Sequence, residues 1–517
     1  MTGSLAEWLT DLSGPLAAHV QLAAAALLLA LLIALPLTLL AARNARFAGI
    51  VLAGASLIQT IPALALLALF YPILLWLSSW VGGGIPALGF LPALLALSLY
   101  AVLPILRNGV TGLTNLNPAI IEAANGMGMS AAQKLRLVEL PLVAPVLMAG
   151  IRTAAVWTIG AATLSTTVGQ PSLGDPIFAG LQTQNWALVL KGCLAAAALA
   201  LITDGLLATA ERSIRRRKPL WAWLSLALLT AGAGAALLPL YQEDGPVVTI
   251  GAKNFSEQYI LARLIGRRLE AEGYTVRYRE GLGSAVIYRA LASGDIDVYV
   301  DYAGTLWSNE MKRTDILPPA KMIPAIGQWM QRSSGAQLLG SLGFENAYVF
   351  AMRQGDAQKH GIRTLDDLAR ASPGLKLGSD LEFLERPEWA SVKRVYPFQF
   401  RQMQAFSPTF MYKALDSGRV DAISAFSSDG RIAADKLTVV QDSKGAIPRY
   451  DALLLISPRR VPDARFSTAL RPLLGRVAVE IMREANFLVD RDEAKRTPME
   501  AAAWLDDRIK RGQAPRE

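Results

Sequence analysis

The sequence predicts an α-helical polytopic membrane domain of about six transmembrane helices, followed by an α/β two-lobed domain. Three observations predict it. Residues up to about Leu240 are dominated by Ala and Leu, whereas charges are dense from Glu243 on. Apolar runs in the first half are separated by loops that are alternately basic and devoid of Lys and Arg. Beyond residue 246, strand-like and helix-like stretches alternate, and one helix–turn–strand unit occurs twice.

A length of 517 residues, 52% of them hydrophobic, suits more than one domain. The N-terminus carries Glu7 and Asp11 and no basic region, so it does not read as a cleaved signal. Apolar runs follow at Leu16–Ala41, Ile50–Leu77, Ile85–Leu106, Leu142–Val168, Trp186–Ala210 and Leu220–Leu240. Each is compatible with the roughly 20 residues a span needs. Ile50–Leu77 exceeds that length, with Pro62 and Pro72 as kink positions.

Arg43 and Arg46 follow the first run, Arg107, Lys134 and Arg136 the third, and Arg212, Arg215, Arg216, Arg217 and Lys218 the fifth. The alternate loops, around Val81–Gly84 and Gly169–Asn185, have no Lys or Arg. The positive-inside rule then places the N-terminus outside, the basic loops inside and everything after Leu240 outside. The expectation is a multi-pass protein of a bacterial cytoplasmic (inner) membrane with an extracytoplasmic C-terminal domain, joined by a linker at residues 241–246. Basic loops account for part of the net charge of +9, and no basic–aromatic run reads as a nucleic-acid groove. Cys193 is the single cysteine, so the outer domain must be stable without a disulfide of its own.

Between the third and fourth runs lies a polar interruption, Glu122–Pro141. Asn117 and Pro118 read as N-cap and first residue of a helix. Gly126 and Gly128 allow a bend. Ser130 caps a second helix, Ala131–Glu139, and Pro141 opens the next apolar run. The spacing of Glu122-Ala123-Ala124, three residues, Gly128, nine residues, Val138-x-Leu140-Pro141 resembles the EAA loop of bacterial ABC importer permeases (type I). Val138 stands where isoleucine is commoner. In that family the loop, here 117–141, is cytoplasmic and docks on an ATPase subunit. The resemblance therefore assigns ATPase coupling to Glu122, Ala123, Ala124, Gly128, Leu140 and Pro141, and implies a permease homodimer in the lipid bilayer.

In the second half, Val247–Gly251, Tyr274–Tyr278 and Ile296–Val300 read as strands, and Ser256–Ala271, with Ser256 as N-cap, and Ala285–Ser293 as helices. This α/β pattern predicts a mainly parallel sheet with ligands outside the carboxyl ends of its strands. Residues 290–297, ALASGDID, are echoed by 414–421, ALDSGRVD. Tyr302 and Phe426 fall at the same offset from the two units, which predicts two lobes facing each other with an aromatic at equivalent strand ends. The chain is expected to cross between lobes at Gly343–Met352 and Tyr450–Ser457, giving lobe one about 247–345 with 455–517 and lobe two about 353–445. Terminal helices are expected near Pro472–Ala485 and Thr497–Lys510.

Gly251-Ala252-Lys253-Asn254-Phe255-Ser256-Glu257-Gln258, Gly281-Leu282-Gly283-Ser284, Asp301-Tyr302-Ala303-Gly304-Thr305 and Ser427-Ser428-Asp429-Gly430-Arg431 look like the substrate-binding proteins of glycine betaine, carnitine and choline uptake. That family has a periplasmic-binding-protein-like fold, and some of its importers, including those for ergothioneine, fuse permease and binding domain in this order. Family members box a quaternary ammonium with aromatic faces, which attract a desolvated cation. The resemblance makes Tyr302 and Phe426 two walls and Phe406 a weaker third. Lys253, Asn254, Gln258, Ser284, Thr305 and Asp429 become polar contacts. Gly281 lies near where some betaine binders have tyrosine, and Phe426 stands where tyrosine is usual, which leaves room for a bulkier betaine such as ergothioneine.

Enzyme readings find little support. His19 and His360 are the only histidines, so no Cys/His pair or metal cluster is expected, and no cofactor. No G-x-x-x-x-G-K-[ST] loop is present, so ATP hydrolysis is expected from a separate subunit. The alternative class, a membrane receptor with an external solute sensor, would leave the EAA spacing unexplained.

Overall fold

The computed structural model describes residues 5–82, 84–182, 185–216, 219–237, 246–313, 315, 317–447, 449–491 and 493–512. The expected linker lies almost wholly outside the described residues, as do Arg217, Lys218 and the end of the sixth apolar run. The chain divides into two compact units, Met1–Phe178 with Ala187–Glu243, and Ala179–Trp186 with Asp244–Glu517.

Among the described residues of the first unit, six helices are long and apolar enough to cross a membrane: Leu12–Arg43, Ala63–Trp80, Phe90–Thr114, Ala131–Val168, Trp186–Ser213 and Leu220–Leu237. The expected second span is two helices, Ala45–Thr60 and Ala63–Trp80. Proline disfavours helical backbone at the residue before it, and Ile61, ahead of Pro62, is extended at φ −74° and ψ 126°. The Tyr100 hydroxyl donates to the Ile61 carbonyl that the break sets free. Pro72 stays inside its helix. Phe90–Thr114 is the centre of the unit, packed against both the first helix and Leu140–Ala162.

The second unit holds two five-stranded sheets. Lobe one contains β1 (Val247–Lys253), β2 (Thr275–Leu282), β3 (Val298–Tyr302), β4 (Gln337–Glu345) and β10 (Asp451–Ile456), in the order β2-β1-β3-β10-β4. Lobe two contains β5 (Tyr348–Arg353), β6 (Lys376–Asp380), β7 (Gln402–Phe406), β8 (Ala422–Phe426) and β9 (Leu437–Val440), in the order β7-β6-β8-β5-β9. Each sheet is mixed. β1, β2 and β3 pair in parallel, as do β6, β7 and β8. β10 and β5, the strands by which the chain enters each lobe from the other, pair antiparallel with both neighbours. The chain passes between lobes at residues 346–347 and 441–450.

The repeated unit has the same structure twice. The Asp297 amide donates to the Thr249 carbonyl (2.7 Å), and its carboxylate accepts from the Thr249 amide at 2.8 Å. Asp421 does the same with Lys376, at 2.9 and 2.8 Å. In both lobes this aspartate staples the incoming strand to its parallel neighbour, β1 or β6, and the residues counted on from it, Tyr302 and Phe426, close β3 and β8. The penultimate helix runs Val479–Asp490 rather than Pro472–Ala485. Pro472 sits in a 3-10 turn, and the chain then lies along β4 through bonds from Gly475 and Val477 to Ser341 and Leu342.

Candidate functional site

Carboxyl ends of parallel strands are where such a fold can hold a ligand. Three ring-bearing segments meet there. Tyr302 ends β3, Phe426 ends β8, and Phe255 follows β1 at the start of helix Ser256–Ala271. Phe255 stands between the other two: its centroid is 6.2 Å from Tyr302 at 27° and 5.9 Å from Phe426 at 8°. Tyr348, the first residue of β5, lies 4.8 Å from Phe426, with Tyr450 edge-on to it at 5.7 Å. Phe255 and Tyr348 were not singled out from the sequence. Phe255 lies within the segment Gly251–Gln258, and Tyr348, in the crossing segment, has no counterpart in the repeat.

Phe406 lies elsewhere. It packs with Met411, Tyr412 and Leu415 in a separate core cluster of lobe two, with the Arg419 guanidinium 5.6 Å over its ring. The polar residues divide likewise. Lys253 is buried with Nζ 2.5 Å from Asp301 Oδ1 and 5.5 Å from the Tyr302 ring centroid, so its charge is already paired. Gln258 donates to the Tyr302 hydroxyl at 3.0 Å. Thr305 accepts from Arg386 Nη1 at 3.4 Å, and the Arg386 guanidinium lies 5.5 Å over Tyr348. Ser284 is buried at the first position of its helix, and Asn254 is exposed.

Beneath the rings sits a buried carboxylate. Glu257 accepts from the Tyr302 hydroxyl (2.5 Å), Asn346 Nδ2 (3.1 Å) and Asn486 Nδ2 (3.0 Å), with Ser428 as a further donor. Burial raises its pKa above the ordinary carboxylate value, against the pull of those four donors. Burial and then the adjacent Glu257 hold the Tyr302 phenol well above its usual value. Because both amide nitrogens face the carboxylate, the network fixes their orientation. It leaves Asn346 Oδ1 and Asn486 Oδ1 buried without a donor. Both residues line a cavity of about 30 Å³ that is also walled by Phe255, Glu257, Phe426 and Asp490. That volume suits one or two waters, so a solute enters only when the lobes part.

Helix Val479–Asp490 latches the lobes. Asn486 Nδ2 also donates to the Ser428 carbonyl (2.8 Å), and Arg483 Nε donates to that of Ser427 (2.8 Å). A Cβ on Gly430 would meet the Phe487 backbone at 2.5 Å, so only glycine allows this approach. Burial alone would raise Asp429, but Arg431, at 2.8 Å, brings it below the ordinary value. Asp490 is pushed up to about 6, by burial first, with Asp429 adding to it and Arg431 opposing, and it accepts from Ser256 Oγ at 2.5 Å. Ser256 thus serves this contact rather than capping its helix. A folded-state pKa above 3.8 means the folded form binds the proton more tightly. Stability from this group is full below about pH 3.8 and is lost as pH rises to about 6, by up to about 3 kcal/mol. Asp490→Asn should abolish that decline and be the more stable protein above pH 6, the difference closing near pH 4, in thermal unfolding across that range.

The second site is the hairpin at 117–141. Asn117 caps helix Pro118–Gly126 by accepting from the Ala119 amide at 3.0 Å. Gly128 turns the chain at φ 72°. Ser130 and Gln133 form a reciprocal capping box, and Lys134 Nζ donates to Asn125 Oδ1 at 3.1 Å, tying the two arms. Pro141 does not end the second arm. A π-turn at Leu135–Glu139 carries the chain into helix Leu140–Ala162; such a widened turn accommodates the amide that proline lacks. Met127 and Leu137 are exposed on this hairpin.

Residues 246–507 match the substrate binding domain of ABC-type glycine betaine transport systems, and residues 23–216 match the inner membrane component of binding-protein-dependent transport systems. The chain belongs to the glycine betaine-type family of ABC transport systems. It carries both components of this family in one polypeptide, as an inner-membrane protein. Such a permease implies an ATPase partner. It is 29% identical over 86% of its length to the ergothioneine transport permease/ergothioneine binding protein EgtU of Helicobacter pylori (strain G27), covering 81% of that protein. The permease half is 41% identical to the choline transport system permease protein OpuBB of Bacillus subtilis (strain 168), over 38% of this chain and 85% of that one. A solved glycine betaine/carnitine/choline ABC transporter structure covers 52% of this chain and all of that one, at 26% identity and a TM-score of 0.45.

Proposed function

We propose that this protein captures a betaine-type quaternary ammonium solute between its two lobes and passes it inward through the permease half, driven by a separate cytoplasmic ATPase docked on the 117–141 hairpin of a permease homodimer. The observation that carries the reading is the stack of Tyr302, Phe255 and Phe426, with Tyr348 against it. A trimethylammonium group donates no hydrogen bond, and aromatic faces are the surfaces that attract it. Arg386, which donates to Thr305 and lies over the Tyr348 ring, would receive the solute carboxylate. Gln258, Asn254, Ser284 and Asp429 remain contacts of the opened cleft in this reading, while Phe406 supports lobe two.

The polar floor favours one subclass. The two donor-less amide oxygens and Glu257 are acceptors. They suit a betaine whose ring offers two N–H donors, such as ergothioneine, over choline or carnitine with one O–H each and glycine betaine with none. The fused arrangement shared with a protein named for ergothioneine supports the same choice. Proteoliposomes holding the protein and its ATPase should accumulate labelled ergothioneine only with ATP inside the compartment that contains the hairpin. Accumulation without ATP would refute the reading.

The side of the membrane is testable separately. The alternation of basic loops puts the binding domain outside and the hairpin inside. A cysteine introduced at exposed Gln354 should react with an impermeant maleimide in intact cells, and one at Gln133 only after lysis. The reverse pattern would overturn this topology.

A further inference from the structure

Arg152 is the only charged residue of the helix Leu140–Ala162, and it lies ~18 Å from the start of that helix. A charged side chain on a spanning helix is costly unless it is paired. Its guanidinium is fully engaged by the helix Trp186–Arg215. Nε and Nη2 donate to the two carboxylate oxygens of Asp204, both at 3.0 Å, and Nη1 donates to Glu211 Oε2 at 2.7 Å. Asp204 and Glu211 are seven residues apart and so share one face of their helix. Only 6% of the apolar stretch of that helix is buried within the chain, against 61% for Phe90–Thr114. The planar three-nitrogen fork fixes the rotation and height of this helix against the fourth span. The span bearing the fork is the one that grows directly out of the 117–141 hairpin through the π-turn.

We propose that Arg152 is a positioning residue for transport, whose fork to Asp204 and Glu211 locks the fifth span to the fourth so that movement of the hairpin shifts both as one body. The proposal rests on the reading that ATP hydrolysis acts through the hairpin. Lysine at this position keeps the charge but presents a single ammonium that cannot hold both carboxylates in a fixed plane.

The test uses the complete transporter with its ATPase in proteoliposomes, reading solute affinity, assembled complex and solute moved per ATP hydrolysed. Arg152→Lys should bind solute and assemble as the wild type does, while solute moved per ATP falls about tenfold. A role confined to folding would lower the amount of complex and leave that ratio alone. The exchanged pair, Arg152→Asp with Asp204→Arg, should regain part of the ratio. Should the lysine variant fail to assemble, Asp204→Asn, which keeps the shape and removes the charge, is read in the same way. A wild-type ratio in the assembled variant, or no recovery in the assembled exchange, would overturn the clamp. A wild type that shows no ATP-dependent uptake would instead overturn the import reading beneath it.

Discussion

Gly128→Pro should abolish uptake and leave solute affinity unchanged. Gly128 sits at φ 72° and donates its amide to Asn125 at 3.0 Å. Proline is locked near φ −65° and has no amide to give, so the hairpin cannot keep its turn. A Cβ here would meet nothing within 4 Å, so the constraint is the backbone angle and not space. A graded series follows. Asparagine tolerates the left-handed region and should retain most activity. Alanine, at a cost of about 1–2 kcal/mol, should retain less. Glu122→Lys, which reverses an exposed charge beside Ala123 on the hairpin surface, should also stop uptake without touching the cleft. Uptake by the proline variant at normal protein levels would remove the hairpin from the coupling route.

Tyr302→Ala should weaken solute binding roughly tenfold or more, because one desolvated cation–π face contributes about 1–2 kcal/mol and about 1.4 kcal/mol is a factor of ten. Phe255→Ala should be comparable, since its ring lies between the other two. Tyr302→Phe keeps the face and loses only the hydroxyl. That hydroxyl donates to a buried carboxylate and accepts from Gln258, so its loss should show mainly as about 1–3 kcal/mol of stability. Calorimetric affinities and unfolding midpoints of the three variants separate the face from the hydroxyl. Equal affinities for wild type and Tyr302→Ala would exclude this ring from the site.

Much of this architecture was legible because it depends on short-range pattern. The apolar runs, the alternating charge of their loops, the caps at Asn117 and Ser130 and the repeated units before Asp297 and Asp421 are all local signals. What escaped were pairings between residues far apart in sequence. Lys253 was expected at the ligand, but it is neutralised by Asp301, 48 residues on. Ser256 was expected to cap its own helix, but it serves Asp490, 234 residues on. Phe406 is an aromatic at a strand end like Tyr302, yet β7 is the edge strand of its sheet and carries its ring into the cluster around Met411. Phe255 and Tyr348 lie far outside the repeated units, so counting from the repeat could not find them.

Titration of the full chain in lipid nanodiscs with ergothioneine, glycine betaine, choline, carnitine and a neutral analogue with carbon in place of the ammonium nitrogen examines the cleft as a whole. The account predicts that ergothioneine binds most tightly and that its neutral analogue binds at least about tenfold more weakly, the loss of one cation–π face or more. Binding of none of the four, or equal binding of the neutral analogue, would contradict it.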